Sequence, residues 1–301
     1  MLNIVALYFS QHHNREEHGE RDFWRDWGPT YVRRLFAGVD RHMPRLTLYR
    51  KYLYTDTPEA APPGVKVLPI PDVFAGSPGW WKKLAVFSEA LVGTTLYLDL
   101  DNVVCGDLGP ILALTPDPLI MLDDRAYPRL PNGAAMLFDP ARMRPWLDSY
   151  LLHPEGWHNR FREWPEASDQ AYTAHLFRKL HQGAEPPLMQ DLVPPGTILN
   201  ARVELEPRRD WPGCRLVYGS YSPKPHESRH PFYVEHWSHS VLWRKMRALG
   251  QIFADAGFIA EANDIFYLKR HEVPDALFDL YSSWATPAPA RGPKYWPAKI
   301  A

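Results

Sequence analysis

The chain has 301 residues, of which 45% are hydrophobic and 23% are charged, a balance typical of a globular enzyme with a buried core. Its 34 Lys and Arg residues against 35 Asp and Glu residues give a formal net charge of −1, which argues against nucleic acid or an anionic membrane surface as a partner. Two cysteines are too few for a disulfide framework, and no apolar run reaches the roughly 20 residues of a transmembrane helix, so we expect a cytoplasmic protein without a transmembrane segment.

Segments with a strand pattern alternate with segments with a helix pattern along most of the chain. Strands are indicated by short apolar runs, and helices by apolar residues three or four positions apart. In chain order we predict a strand at residues 2–9, a helix at 29–43, strands at 46–54 and 65–70, a helix at 80–91, strands at 94–100, 119–122 and 134–138, and helices at 141–152 and 169–180. This alternation predicts a layered α/β sheet with helices on both faces.

The helix predicted at residues 80–91 has an apolar face. Trp80, Leu84, Phe87 and Leu91 recur at helical spacing, so we expect them to be buried together. Lys83 falls elsewhere around this helix, where a lysine is ordinarily solvated.

The most informative segment is an apolar strand that ends in two acidic residues, Asp99 and Asp101. Side chains two positions apart on a strand share one face, so both carboxylates can address one ligand. Open α/β sheets bind ligands in the crevice beyond the carboxyl ends of their strands. Carboxylate oxygens suit Mg²⁺ or Mn²⁺, which bind through one or two carboxylates together with substrate phosphates. The segment therefore predicts a divalent cation that offsets the charge growing on a departing diphosphate.

Two other interpretations of this acidic pair are open. Aspartates at the end of a strand often cap a turn or a helix. The segment Asp99–Val103 also fits the nucleophile motif of haloacid dehalogenase-type phosphatases, in which a strand is followed by Asp-x-Asp-x and then Thr or Val. In that family the motif ends the first strand of the core, whereas several predicted strands precede Asp99 here.

Several segments together resemble bacterial and phage relatives of glycosyltransferase family 8, the glycogenin-like family with the GT-A fold. They follow the order and spacing of that family over roughly residues 1–236. The matching segments are residues 27–39, 79–87 and 96–101, then 132–138 for the family's Asn-Ser-Gly-Val-Met, 168–170 for its Gly-Asp-Gln, and 223–226 for the end of its His-Gly-Lys-Pro-Lys-Pro motif. The resemblance implies a GT-A nucleotide-diphospho-sugar transferase domain at residues 1–232, with a Rossmann-like mixed sheet and helices on both faces.

The resemblance also implies roles for individual side chains. Asp99 and Asp101 would bind Mn²⁺ or Mg²⁺ and, through the metal, the diphosphate of a UDP-sugar. The other donor-binding positions would be Lys83, Asn132 and Lys224, with Asp169 and Gln170 lining the sugar pocket as the candidate catalytic residues. The sugar would pass to an unidentified glycan, lipid or protein acceptor, with retention of the anomeric configuration.

Some departures from the family motifs bear on activity. The family's third metal ligand is a His whose place falls on Ser220, and Tyr221 stands where the family has Gly. Gly133 replaces the Ser of the Asn-Ser-Gly segment. His226 is therefore the candidate for a third metal ligand. A catalytically inactive sugar-nucleotide-binding protein is the alternative to an active transferase.

The alternation of strand and helix patterns ends near residue 231. Apolar residues at helical spacing predict a helix around residues 242–253, and a second helical pattern runs from 272 to 284. Segments at 254–258, 264–273 and 292–297 resemble a helical segment of phosphoenolpyruvate-utilising enzymes, but that family's catalytic domains are missing, so the resemblance implies no activity. We predict a helical C-terminal appendage over residues 233–301.

Overall fold

The chain divides into two compact units, Met1–His236 and Trp237–Ala301. The structure, a computed structural model, describes residues 1–9, 23–88, 91–127, 130–163, 168–207, 211, 213–219, 225, 230, 232–233, 236 and 239–267. The domain boundary after residue 232, together with the domain assignments on either side of it, stays a prediction.

The strands of the first unit form two sheets. They are β1 (Leu2–Tyr8), β2 (Tyr49–Thr55), β3 (Lys66–Pro69), β4 (Thr95–Leu98), β5 (Val103–Val104), β6 (Leu119–Asp123), β7 (Pro131–Phe138), β8 (Ile198–Asn200) and β9 (Leu216–Tyr218). The larger sheet has the order β3-β2-β1-β4-β7-β6, with β1 to β4 parallel and β7 antiparallel to both β4 and β6. The smaller sheet has the order β5-β9-β8. The predicted mixed α/β sheet is therefore confirmed.

Helices connect most of these strands. In the described part of the chain they are α1 (Phe23–His42), α2 (Gly109–Leu112), α3 (Arg144–Leu152), α4 (Pro154–Arg160), α5 (Ser168–Leu180), α6 (Met189–Leu192) and α7 (His239–Asp255). Shorter 3₁₀ helices cover Pro58–Ala60, Asp72–Phe74, Gly79–Phe87, Pro140–Arg142 and Ala262–Tyr267, and a π-helical turn covers Ala201–Leu205. None of the described helices combines the length and the apolar character needed to cross a bilayer.

Three neighbouring strands of the larger sheet are buried along their whole length. Every residue of β4, β6 and β7 is buried, which is expected for apolar strands covered on both faces. The largest core cluster joins strand side chains to aromatic residues outside the sheet, among them Trp81, Trp146 and Tyr172. Such a rigid, close-packed support fixes the position of the loops that leave the sheet.

The segment around Trp80 differs from the sequence prediction. Residues Gly79–Phe87 form a 3₁₀ helix rather than an α-helix, so side chains three positions apart share a face. Every residue of this helix is buried except Trp80, which is 50% exposed. Lys83 is only 8% exposed, which excludes the alternative interpretation of a solvated lysine. The prediction that Trp80 is buried is wrong, whereas Leu84, Phe87 and Leu91 are buried as predicted.

The described part of the second unit is helical. Helix α7 and the 3₁₀ helix Ala262–Tyr267 surround a small apolar cluster of Phe253, Phe258, Ile259 and Ile265. The helix predicted around residues 242–253 is thus confirmed. The second helical pattern, at residues 272–284, lies outside the described residues.

Candidate active site

Asp99 and Asp101 lie in the turn that follows β4, not on the strand itself. The Asp99 amide donates to the carbonyl of Ala134 at 2.8 Å, and the Asn102 amide donates back to the carbonyl of Asp99 at 3.1 Å. The side-chain amide of Asn102 also donates to the Ala134 carbonyl, at 2.7 Å. The prediction that strand alternation sets the direction of the two carboxylates is therefore wrong. A turn anchored to β7 sets it instead.

Lys83 is the residue on which the site converges. Its Nζ atom lies 3.1 and 3.2 Å from the two carboxylate oxygens of Asp99 and 3.7 Å from Oδ2 of Asp169. It also donates to the carbonyl of Gly133 at 3.2 Å. One buried ammonium group is therefore the meeting point of four elements: the 3₁₀ helix Gly79–Phe87, the turn after β4, strand β7 and the start of α5.

The pKa values of the ionisable groups around Lys83 are shifted from their ordinary values. Burial, opposed by Lys83 and reinforced by Asp101, raises the pKa of Asp99 to about 6. Burial also raises the pKa of Asp169, against the opposing effect of Lys83. Conversely, the two neighbouring carboxylates raise the pKa of Lys83 despite its burial. Carboxyl groups whose pKa values rise because they are buried side by side gain from an additional cation.

Asp101 faces a part of the chain far away in sequence. A Cβ atom placed on Gly219, directly after β9, would lie 2.6 Å from Oδ2 of Asp101, so a side chain at this position would displace the Asp101 carboxylate. Burial and then the charge of Asp101 raise the pKa of Tyr233. Lys224 and His226, the two predicted site residues in the segment after Gly219, lie outside the described residues.

Asn132 and Gln170 border the same point through hydrogen bonds within the protein. Asn132 donates through Nδ2 to Asp124 at 3.0 Å and accepts through Oδ1 from the amide of Ala134 at 2.7 Å. The Oε1 atom of Gln170 accepts from the amide of Gly133 at 3.3 Å. Both side chains therefore hold the backbone of β7 beside Lys83, and their contact with a donor stays a prediction.

Sequence reasoning missed several residues of the site. Tyr97 donates from its hydroxyl to Oδ1 of Asp99 at 2.5 Å, although Asp99 itself lies beyond the end of β4. Tyr97, Asp124 and Gly219 had no signal in the sequence, because their positions in the site depend on the turn after β4 and on contacts between distant segments.

The oxygen-rich character of this corner fits a hard divalent cation. Asp99 keeps 29% of its side chain exposed, and Asp101 is half-buried, so both can be reached from solvent. The buried Oδ1 atom of Asn102 accepts no hydrogen bond within the described structure. Carboxylate and amide oxygens are the ligands that Mg²⁺ and Mn²⁺ prefer. The described residues alone contain no group of three His, Cys, Asp or Glu side chains suited to an ion.

Comparison with known proteins identifies the fold. No protein-family model and no curated protein matches the chain. Among solved structures, the galactosyltransferase LgtC in complex with donor and acceptor sugar analogs matches with a TM-score of 0.52 at 13% identity, over 77% of this chain and 94% of LgtC. An active-site mutant of LgtC matches with a TM-score of 0.51 at 11% identity over the same shares. At such low identity the similarity shows the fold, and it confirms the predicted GT-A class.

Proposed function

We infer that this chain is a glycosyltransferase that moves a sugar from a UDP-sugar to an acceptor at the carboxyl end of β4. The observation that carries this inference is the convergence on Lys83 of Asp99, Gly133 and Asp169. This convergence lies at the strand edge where open α/β sheets bind ligands. The GT-A fold shared with LgtC supports the same function, since LgtC is a galactosyltransferase that has been solved with donor and acceptor sugar analogs.

In this function Asp99 and Asp101 hold Mn²⁺ or Mg²⁺, with His226 as a further ligand candidate. The metal would neutralise the negative charge that develops on the departing UDP. Because Tyr97 and Lys83 already bind both oxygens of Asp99, the carboxylate is fixed in orientation before any ligand arrives. Such fixed orientation lowers the entropic cost of binding the cation and its diphosphate.

The remaining residues act on the sugar and the diphosphate. Asp169 and Gln170, at the start of α5, lie against Gly133 and would contact the sugar as the candidate catalytic pair, with retention at the anomeric carbon. Lys83 and Asn132 would orient the donor, and Lys224 would neutralise the diphosphate from the segment after β9. The acceptor is a glycan, a lipid or a protein, and cytoplasmic placement is part of the same proposal.

The strand order favours this function over the phosphatase alternative. In the phosphatase family the nucleophile motif ends the first strand of the core, whereas β4 is the fourth strand among the described residues.

A thermal-shift titration with UDP, with and without Mn²⁺, tests the proposal. At a UDP concentration about 100 times its Kd, binding stabilises a protein by about 2.7 kcal/mol, so we expect a clear rise in Tm that depends on Mn²⁺. Asp101→Asn should abolish the metal-dependent part. The control Asp148→Asn, which changes a carboxylate in an exposed pair on α3, should keep it.

Two results would overturn the proposal. Absence of a Mn²⁺-dependent shift in the wild type would contradict the proposed donor site. An undiminished shift in Asp101→Asn would contradict the proposed role of Asp101 in metal binding. Release of UDP from UDP-sugars, measured on the same samples, separates an active transferase from a binder without turnover.

A further inference from the structure

The two cysteines of the chain, Cys105 and Cys214, are 109 residues apart in sequence and adjacent in the fold. Both are free thiols, and their sulfur atoms lie 3.6 Å apart. Cys105 follows β5 and is half-buried, while Cys214 precedes β9 and is buried. Sequence composition excluded a disulfide framework, but it gave no indication that these two thiols meet.

The pairing of β5 with β9 brings the thiols together. The amides of Cys105 and Gly106 both donate to the carbonyl of Arg215, at 2.9 and 3.3 Å, so two residues of one strand face one residue of the other, as in a β-bulge. A Cβ atom on Gly106 would lie 2.9 Å from the carbonyl oxygen of Cys214. Glycine at this position therefore permits the close approach of the two backbones.

We propose that Cys105 and Cys214 form a reversible intramolecular disulfide, with a small-molecule disulfide such as oxidised glutathione as the oxidant. Formation of the bond requires the sulfur atoms to approach to about 2.05 Å, an approach of roughly 1.5 Å from their present separation. Side-chain rotation and a small shift in a bulge, where the strand pairing is already locally irregular, provide such a movement.

The step proceeds by two exchanges. The more exposed Cys105 loses its proton and attacks one sulfur of oxidised glutathione, which gives a mixed disulfide and releases one glutathione thiolate. Cys214 then loses its proton and attacks the Cys105 sulfur, which forms the protein disulfide and releases the second glutathione. The two cysteine thiols lose two electrons and two protons, and the oxidant gains them as two thiols.

The thiol pair lies near the acidic turn, which is the turn after β4 that carries Asp99 and Asp101. Strand β5 begins two residues after Asp101, and β9 ends immediately before Gly219, whose backbone packs against Asp101. A covalent bond between Cys105 and Cys214 would therefore fix the strand pair that borders Asp101. The disulfide itself requires no transferase activity, so its test is independent of the proposed function.

Mass spectrometry of the intact full-length protein provides the test. The contact with Cys214 and burial raise the pKa of the Cys105 thiol, so the incubation with oxidised glutathione is carried out at alkaline pH, which increases the thiolate fraction. The monomer should then lose about 2 Da relative to the dithiothreitol-treated protein. Both thiols should then resist alkylation, and dithiothreitol should restore them. Cys105→Ser and Cys214→Ser, checked for folding by circular dichroism under reducing conditions, should not show the 2 Da loss.

Three outcomes would overturn the proposal. The wild type could retain a stable glutathione adduct of about 305 Da, form a disulfide-linked dimer, or leave both thiols open to alkylation. Each would show that the two sulfur atoms do not close on one another within one chain.

Discussion

Asp99 carries an electrostatic cost in the folded protein. A carboxyl group whose pKa is raised by folding binds its proton more tightly in the folded than in the unfolded chain. The pKa of Asp99 rises from an ordinary 3.8 to about 6. Its contribution to stability is therefore greatest below pH 4 and is lost as the pH rises through 6. In the proposed function, binding of a cation at Asp99 would offset this cost at neutral pH.

Asp99→Asn should remove this cost. Because the amide cannot ionise, the free energy of unfolding of the variant, relative to that of the wild type, should rise by about 2 kcal/mol between pH 4.5 and pH 7.5. Urea unfolding of both proteins at the two pH values, without metal, measures the change. The exposed variant Asp148→Asn should show no comparable pH dependence. A constant difference between Asp99→Asn and wild type at both pH values would contradict the raised pKa.

Lys83→Met should have the opposite pH dependence. Removing the ammonium leaves two buried or half-buried carboxylates, Asp99 and Asp169, without their shared partner. We expect a loss of about 3 kcal/mol in the free energy of unfolding at pH 7.5, and a smaller loss at pH 4.5, where the carboxylates take up protons.

Lys51→Met is the matched control for this substitution. Lys51 pairs with Asp40, whose side chain is 44% exposed, so the loss should stay below about 1 kcal/mol. If the cost of Lys83→Met were the same at both pH values, Lys83 would act through packing rather than charge.

At the scale of secondary-structure elements, α1 approaches β1 at Gly28. A Cβ atom there would overlap the buried ring of Tyr8 at the end of β1, and would lie 2.7 Å from its Cζ atom. Gly28→Ala should therefore lower the free energy of unfolding by about 1–2 kcal/mol in urea titrations, even though alanine is the better helix former.

Gly76→Ala is the control, because a Cβ atom at Gly76 meets no atom within 4 Å. It should change stability by less than about 0.5 kcal/mol. Equal stability of the two variants would show that α1 does not press on Tyr8.

Long apolar segments made the main elements predictable. Strands β1 and β7 bury nearly every residue, and burial on both faces requires the continuous apolar runs visible in the sequence. Strands β5 and β9, with two and three residues, are too short to show a periodicity. The segment Gly79–Phe87 is a 3₁₀ helix buried at every residue except Trp80, and the apolar spacing in the sequence indicated neither its geometry nor the burial of its two lysines.

The acidic turn was predictable, but its surroundings were not. Two aspartates after an apolar strand are visible in one short segment. The burial of Lys83 is possible only because carboxylates from two distant segments compensate its charge. The meeting of Cys105 with Cys214 depends in the same way on the pairing of β5 with β9.

At the scale of the whole molecule, both sheets and the residues around Lys83 belong to the unit Met1–His236. We therefore expect residues 1–236, expressed alone, to unfold cooperatively and to show the same Mn²⁺-dependent shift with UDP as the full chain. Circular dichroism melting and the thermal-shift titration measure the two properties. A folded fragment without the UDP shift would show that the second unit contributes to donor binding.

Electron paramagnetic resonance of Mn²⁺ tests the central claim, that Asp99 and Asp101 hold the cation against the diphosphate, most directly. Free aqueous Mn²⁺ gives a sharp six-line signal that is lost on binding to a protein. In the presence of UDP, the wild type and Asp148→Asn should suppress this signal beyond the effect of UDP alone. The double variant Asp99→Asn/Asp101→Asn should not. Equal suppression by the double variant and the wild type would contradict the claim.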